Sequence, residues 1–122
     1  MQNAAQAYGA VAKQTASPRD LEASLLLQAA FRLQAAQEEW DSERIALDRA
    51  LTFNRKLWTL FLSSVTRNDN PLPAEIRQNV ANIGVFVMNQ TLSLITDPAR
   101  EKLDSLIAIN RNLAAGLREG PR

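Results

Sequence analysis

The sequence predicts an all-α protein, a small bundle of about five helices, four long and one short and N-terminal, mostly antiparallel. Three observations carry this. Apolar residues recur at helical spacing through four long stretches. Clusters of Pro, Asn, Asp and Ser separate those stretches. No alternating apolar run lies between turn residues, and no hairpin turn pair is present, so nothing reads as a strand.

Residues 3–14 are rich in Ala and Gln, with Ala4, Tyr8 and Val11 at helical spacing. They predict a short, marginal first helix. Gly9 in its interior weakens it by roughly 1 kcal/mol relative to Ala. Tyr8, the only tyrosine, is its natural anchor. Ser17 is then an N-cap candidate with Pro18 at the first helical position, where a missing N–H costs nothing. The helix that follows, over 18–37, carries Leu26, Ala29, Ala30, Leu33 and Ala36 as one stripe. Leu27 and Phe31 lie to one side and widen the apolar face. Its alanines invite close approach by a neighbouring helix.

The next helix is expected over 43–66, capped by Asp41 or Ser42, and is the element the others pack around. Its stripe is Leu47, Leu51, Asn54, Trp58, Phe61 and Val65, with Leu57, Leu60 and Leu62 as apolar surface beside it. The segment Arg67-Asn68-Asp69-Asn70-Pro71-Leu72-Pro73 is a clear break, since Asn70 before a proline is pushed out of helical conformation. A fourth helix runs from Pro73 or Ala74 to 95. Ile76, Val80, Ile83, Val87 and Leu94 form its stripe, and Ala81, Val85, Met88, Leu92 and Ile95 a second row. Gly84 in mid-helix points to close packing or a hinge. Asp97 with Pro98 predicts the cap and first residue of a fifth helix over 98–115. Its stripe is Leu103, Ile107, Asn110, Ala114 and Leu117, with Gly116 as its stop. Residues 1–122 form one expected domain, with 118–122 a frayed tail.

Residues 46–57 and 102–113 echo each other, sharing Leu, Asp, Asn, Arg and Leu in ungapped alignment. Two helices presenting one chemical pattern to a shared core would produce this without duplication. It places Asn54 and Asn110 inward, where an amide is costly unless hydrogen-bonded and can fix helix register. Arg55 and Arg111 sit at the stripe edges, with Asp48, Asp104 or helix-end carbonyls as expected partners.

Composition removes most chemistry. The chain has no cysteine, which excludes disulfides, thiolate metal sites and thiol catalysis. It has no histidine, the commonest metal ligand and general base near neutral pH. Neither a phosphate loop nor a dinucleotide fingerprint is present. We expect no enzyme, no metal, no cofactor and no small-molecule substrate. The acidic patch Glu38, Glu39, Asp41 and Glu43 reads as a solvated helix junction. Arg44, Arg49, Arg55 and Lys56, with Arg67 just past its end, make the 43–66 helix basic, but they are scattered around it. With a net charge of +1 and no RNA-binding motif, this speaks against direct RNA binding. No stretch approaches the roughly 18 apolar residues of a membrane span, and the N-terminus lacks a signal peptide's apolar region. The expected location is the cytoplasm. What is left over is apolar surface on Leu27, Phe31, Leu57, Trp58, Leu60, Val85, Met88 and Leu92, candidates for a groove that takes an amphipathic partner helix.

The landmarks of the chain, taken in order, resemble the FlaF family, small flagellar biosynthesis regulators of α-proteobacteria. The resemblance spans nearly the whole chain. It rests on Tyr8, on Arg19-Asp20-Leu21-Glu22-Ala23, on Ala30 and Leu33, and on Ala50-Leu51. It continues through Asn54-Arg55-Lys56-Leu57-Trp58, Asn70-Pro71-Leu72-Pro73, Leu106-Ile107-Ala108-Ile109-Asn110-Arg111 and Ala115-Gly116-Leu117. It implies a cytoplasmic, non-enzymatic factor needed for flagellin production and filament assembly. It also implies two alternative roles: an export chaperone that binds flagellin, or a post-transcriptional regulator of flagellin synthesis acting with the companion regulator FlbT or on flagellin mRNA.

Overall fold

The computed structural model describes residues 17–42 and 44–119. Among them are four α-helices, α1 (Pro18–Glu38), α2 (Arg44–Val65), α3 (Ala74–Thr96) and α4 (Leu103–Arg118), with a single 3-10 turn, Arg100–Lys102, leading into α4. No strand occurs among the described residues. The all-α class holds. The short helix expected over 3–14, with Tyr8, lies outside the described residues.

α1 starts as its sequence dictates. Ser17 is extended, its hydroxyl oxygen accepts the Arg19 N–H at 3.1 Å, and Pro18 follows as the first helical residue. The buried face is Ala23, Leu26, Ala29, Ala30, Leu33 and Ala36. Four of these six are alanine, so neighbouring backbones approach closely, and α1 makes its most extensive contact with α4 and a second with α2.

α2 is the central helix. It buries Leu47, Ala50, Leu51, Asn54, Leu57, Trp58, Phe61 and Val65, an almost unbroken seam from end to end. It touches α1 on one side and α3 on the other. The α2–α3 connection is tied by Asn70. Its side-chain amide donates to the Ser64 carbonyl at 3.1 Å and to Ser64 Oγ at 3.0 Å, while its Oδ1 accepts the Leu72 N–H at 3.0 Å. Pro73 then enters α3 in extended conformation, satisfying the restriction a proline imposes. Gly84 is buried where α3 crosses α2. A Cβ at position 84 would overlap Leu62 Cδ2 and stand 2.8 Å from Leu62 Cγ, so close packing is the reason for the glycine.

Two expectations about helix ends need correction. Asp97 does not cap α4. Its N–H still donates to the Ser93 carbonyl at 2.8 Å, so it closes α3 instead. The Lys102 ammonium reaches back to the Asp97 carbonyl at 2.6 Å, the Asp97 carboxylate at 3.3 Å and Ser93 Oγ at 2.9 Å. The carboxylate thus serves a cation, and Pro98 and Ala99 become a linker ahead of the 3-10 turn. Gly116 likewise does not stop α4, which continues to Arg118 without any positive-φ glycine among the described residues. Arg118 is therefore the last residue of the helix, while residues 120–122 lie outside the described residues. α2 is assigned from Arg44, with Glu43 outside the described residues and Asp41 and Ser42 in the preceding turn.

Candidate partner-binding site

The paired asparagines meet. Trp58 Nε1–H donates to Asn110 Oδ1 at 2.9 Å, and Asn110 Nδ2 donates to Asn54 Oδ1 at 2.7 Å. All three side chains are fully buried. The indole is a donor only, so it fixes which way the Asn110 amide points, and Asn110 in turn fixes Asn54. The chain of bonds ends at Asn54 Nδ2, which is buried and has no partner. This network pins α2 to α4 across the core. The echo between residues 46–57 and 102–113 is thus two faces of one buried contact.

The same geometry corrects the expected partner surface. Trp58 is fully buried, with its ring edge-on to Phe61 at 5.5 Å, and Leu57 is buried beside it. Both belong to the core. The physical reason is that Trp58 lies one turn beyond Asn54 on the same stripe, where its N–H finds an amide that also needs a partner. The arginine pairing is corrected too. Arg111 donates to Gln34 Oε1, the Asp104 carboxylate accepts from Gln37 Nε2 at 2.7 Å, and Arg55 is exposed without an ion pair to Asp48.

The remaining apolar candidates do not form one patch. Met88 and Leu92 of α3 line an open furrow against α2, with a volume of about 510 Å³. Leu51, Thr52 and Arg55 of α2 form its other wall, and Ile95 extends it along α3. The furrow exists because α3 turns Val80, Gly84, Val87, Thr91 and Leu94 inward. The predicted second row then sits on a shoulder above α2, with Leu92 59% and Ile95 58% exposed. Val85, two turns before Leu92, is also exposed on this side. Asp48 and Arg55 give the furrow one charge of each sign.

Phe31 is 71% exposed but stands on α1, which does not line the furrow; Leu27, also on α1, is partly buried against the core. Leu60, 67% exposed, borders a separate hollow with Arg67, Asp69 and Asn70 near the α2–α3 turn. Sequence reasoning passed over Leu51 and Thr52 as furrow residues. The signal available was that they lie opposite the second row of α3 once α2 and α3 are antiparallel.

Charged groups are mostly at the surface. Arg44, Arg49, Arg55 and Lys56 are exposed, and the Arg32 guanidinium stacks 4.4 Å over the Phe53 ring. Arg67 and Asp69 pair at 2.9 Å, which raises the arginine's pKa and lowers the carboxyl's, both in full solvent exposure. Glu38, Glu39 and Asp41 are exposed at the α1–α2 junction. Glu22 differs: burial pushes its carboxyl above the usual range, with Arg19 pulling it partly back. Among the described residues no cluster of acidic side chains could hold a metal ion, and no helix is long and apolar enough to cross a membrane.

The family model for flagellar protein FlaF matches the chain over residues 4–117. No curated protein and no solved structure matches it.

Proposed function

The chain belongs to the FlaF family of flagellar proteins, and from that membership we propose that it is a non-enzymatic export chaperone that binds flagellin in the cytoplasm. In this role it supports flagellin secretion and filament assembly. The observation that carries the reading is the furrow between α2 and α3. Leu92 and Ile95 stand exposed along it, Met88 is partly buried beside them, and the buried Leu51 closes its base. An amphipathic helix from flagellin would lay its apolar face along the furrow, and Asp48 and Arg55 would set its direction by charge. Covering such a segment before export keeps it from associating with other flagellin copies, since exposed apolar surface drives association.

Titrating the purified protein with flagellin and with flagellin truncations tests this. Saturable binding at micromolar concentration that is lost with one terminal helical segment is the expected result. Absence of saturation sinks the reading. A second reading rests on the exposed basic side chains Arg44, Arg49, Arg55 and Lys56 of α2. In it the protein regulates flagellin synthesis, together with FlbT or on flagellin mRNA. A salt-dependent shift of the flagellin leader RNA by the pure protein favours the RNA version, because phosphate contacts release counterions.

A further inference from the structure

A second apolar cleft, of about 420 Å³, lies at the other end of the bundle from the α1–α2 junction, where α1 and α3 begin and α2 and α4 end. Its floor is Phe61, Val65, Leu72, Val80, Leu113 and Leu117. Ser17, the first described residue, is on its rim. We propose that this cleft is the seat of the chain's own segment 1–16, with Tyr8 as the anchor.

The chain delivers that segment to the cleft, because its attachment point is part of the lining. A short tether gives an effective concentration in the millimolar range, which a free partner does not match in solution. The segment carries Ala4, Tyr8 and Val11 at the spacing of one helix face, an apolar row for an apolar floor. A seated tyrosine needs a polar partner for its hydroxyl, and Ser64 and Asn70 supply such groups in the lining. Lys13 is the only charged side chain in residues 1–16, and the cleft itself carries one charge of each sign, Arg19 and Glu22.

The chain has no cysteine, so a nitroxide can be placed at one site by Gln6→Cys in the full-length protein. Methyl NMR then reads proximity. Leu72, Leu113 and Leu117 are expected to lose most of their methyl intensity, independently of protein concentration, while Leu92 and Ile95 of the furrow keep theirs. Adding Tyr8→Ser should restore the cleft methyls without changing the helical circular dichroism. Three outcomes overturn the proposal. One is broadening of the furrow methyls, or no broadening at all. Another is equal broadening in a mixture where nitroxide and isotope are on different chains, which assigns the cleft to a second copy. The last is a shift of the Leu113 and Leu117 methyls on adding flagellin while the nitroxide effect stays unchanged, which assigns it to that partner.

Discussion

Trp58 has one hydrogen to donate, and its destination orients two asparagines. Removing it by Trp58→Phe leaves Asn110 Oδ1 buried and unbonded, and the expected loss of stability is about 1–3 kcal/mol by urea unfolding. Asn110→Leu removes the acceptor as well, so the two substitutions together should cost less than their sum, a coupling of about 0.5–3 kcal/mol in a double-mutant cycle. Additive costs would mean that the bond contributes nothing. That Asn54 and Asn110 point inward was legible, because both fall on the apolar stripe of their helix. The role of Trp58 was not, because an indole serves equally as core or as partner surface and only its neighbour across the bundle decides. Glu22 makes a second prediction at this scale. Burial lifts its folded pKa above the ordinary value of 4.5, so the folded chain binds the proton more tightly than the unfolded chain. Stability therefore falls as pH rises from 4.5 through the raised folded value, and above that window the full cost of the buried charge is present. Glu22→Gln should flatten this decline in urea midpoints measured on both sides of the window; an unchanged slope would falsify the assignment.

At the scale of elements, the two described glycines differ in what they permit. Gly84 lets α3 settle onto Leu62 of α2. Gly84→Ala gains about 1 kcal/mol in helix propensity. The overlap with Leu62 outweighs that gain, since forcing extra carbon into a packed contact costs about 1–3 kcal/mol. Thermal unfolding of Gly84→Ala should therefore occur at a lower temperature, and adding Leu62→Ala should recover part of the loss. Gly116 faces open space, with nothing within 4 Å of an added Cβ, and its helix continues past it. Gly116→Ala should stabilise by about 0.5–1 kcal/mol, the helix-interior difference between the two residues. The sequence signals for these glycines were of unequal strength. A glycine in mid-helix has few explanations, and close packing was among them. A glycine near a helix end suggests a stop, but a stop needs a left-handed turn that the fold does not make here. The Asp97-Pro98 signal failed for a related reason. Local chemistry suited a cap, yet Lys102 recruited the carboxylate and the α3 backbone retained the N–H.

Across the whole molecule, helical periodicity located the long helices to within a few residues, because each must bury one stripe and the turn residues between them are unambiguous. It could not sort the surplus apolar positions, since that depends on which helices are neighbours. Because α3 packs on α2, Met88 and Leu92 came together with Leu51, while Phe31 was left on a different helix. This separation makes the binding reading testable by position. Leu92 and Phe31 are both largely exposed, so truncating either should leave the fold intact. Leu92→Ser removes apolar surface from the middle of the furrow, and flagellin affinity should fall by about tenfold or more, which corresponds to ~1.4 kcal/mol. Phe31→Ser removes a larger apolar side chain from α1 and should leave the affinity unchanged. The larger side chain having the smaller effect distinguishes a located groove from general stickiness. If both variants weaken binding in proportion to the surface removed, flagellin contacts apolar surface indiscriminately and the furrow has no special part. If only Phe31→Ser weakens it, the docking face is on α1, and the charges at Asp48 and Arg55 do not guide the partner.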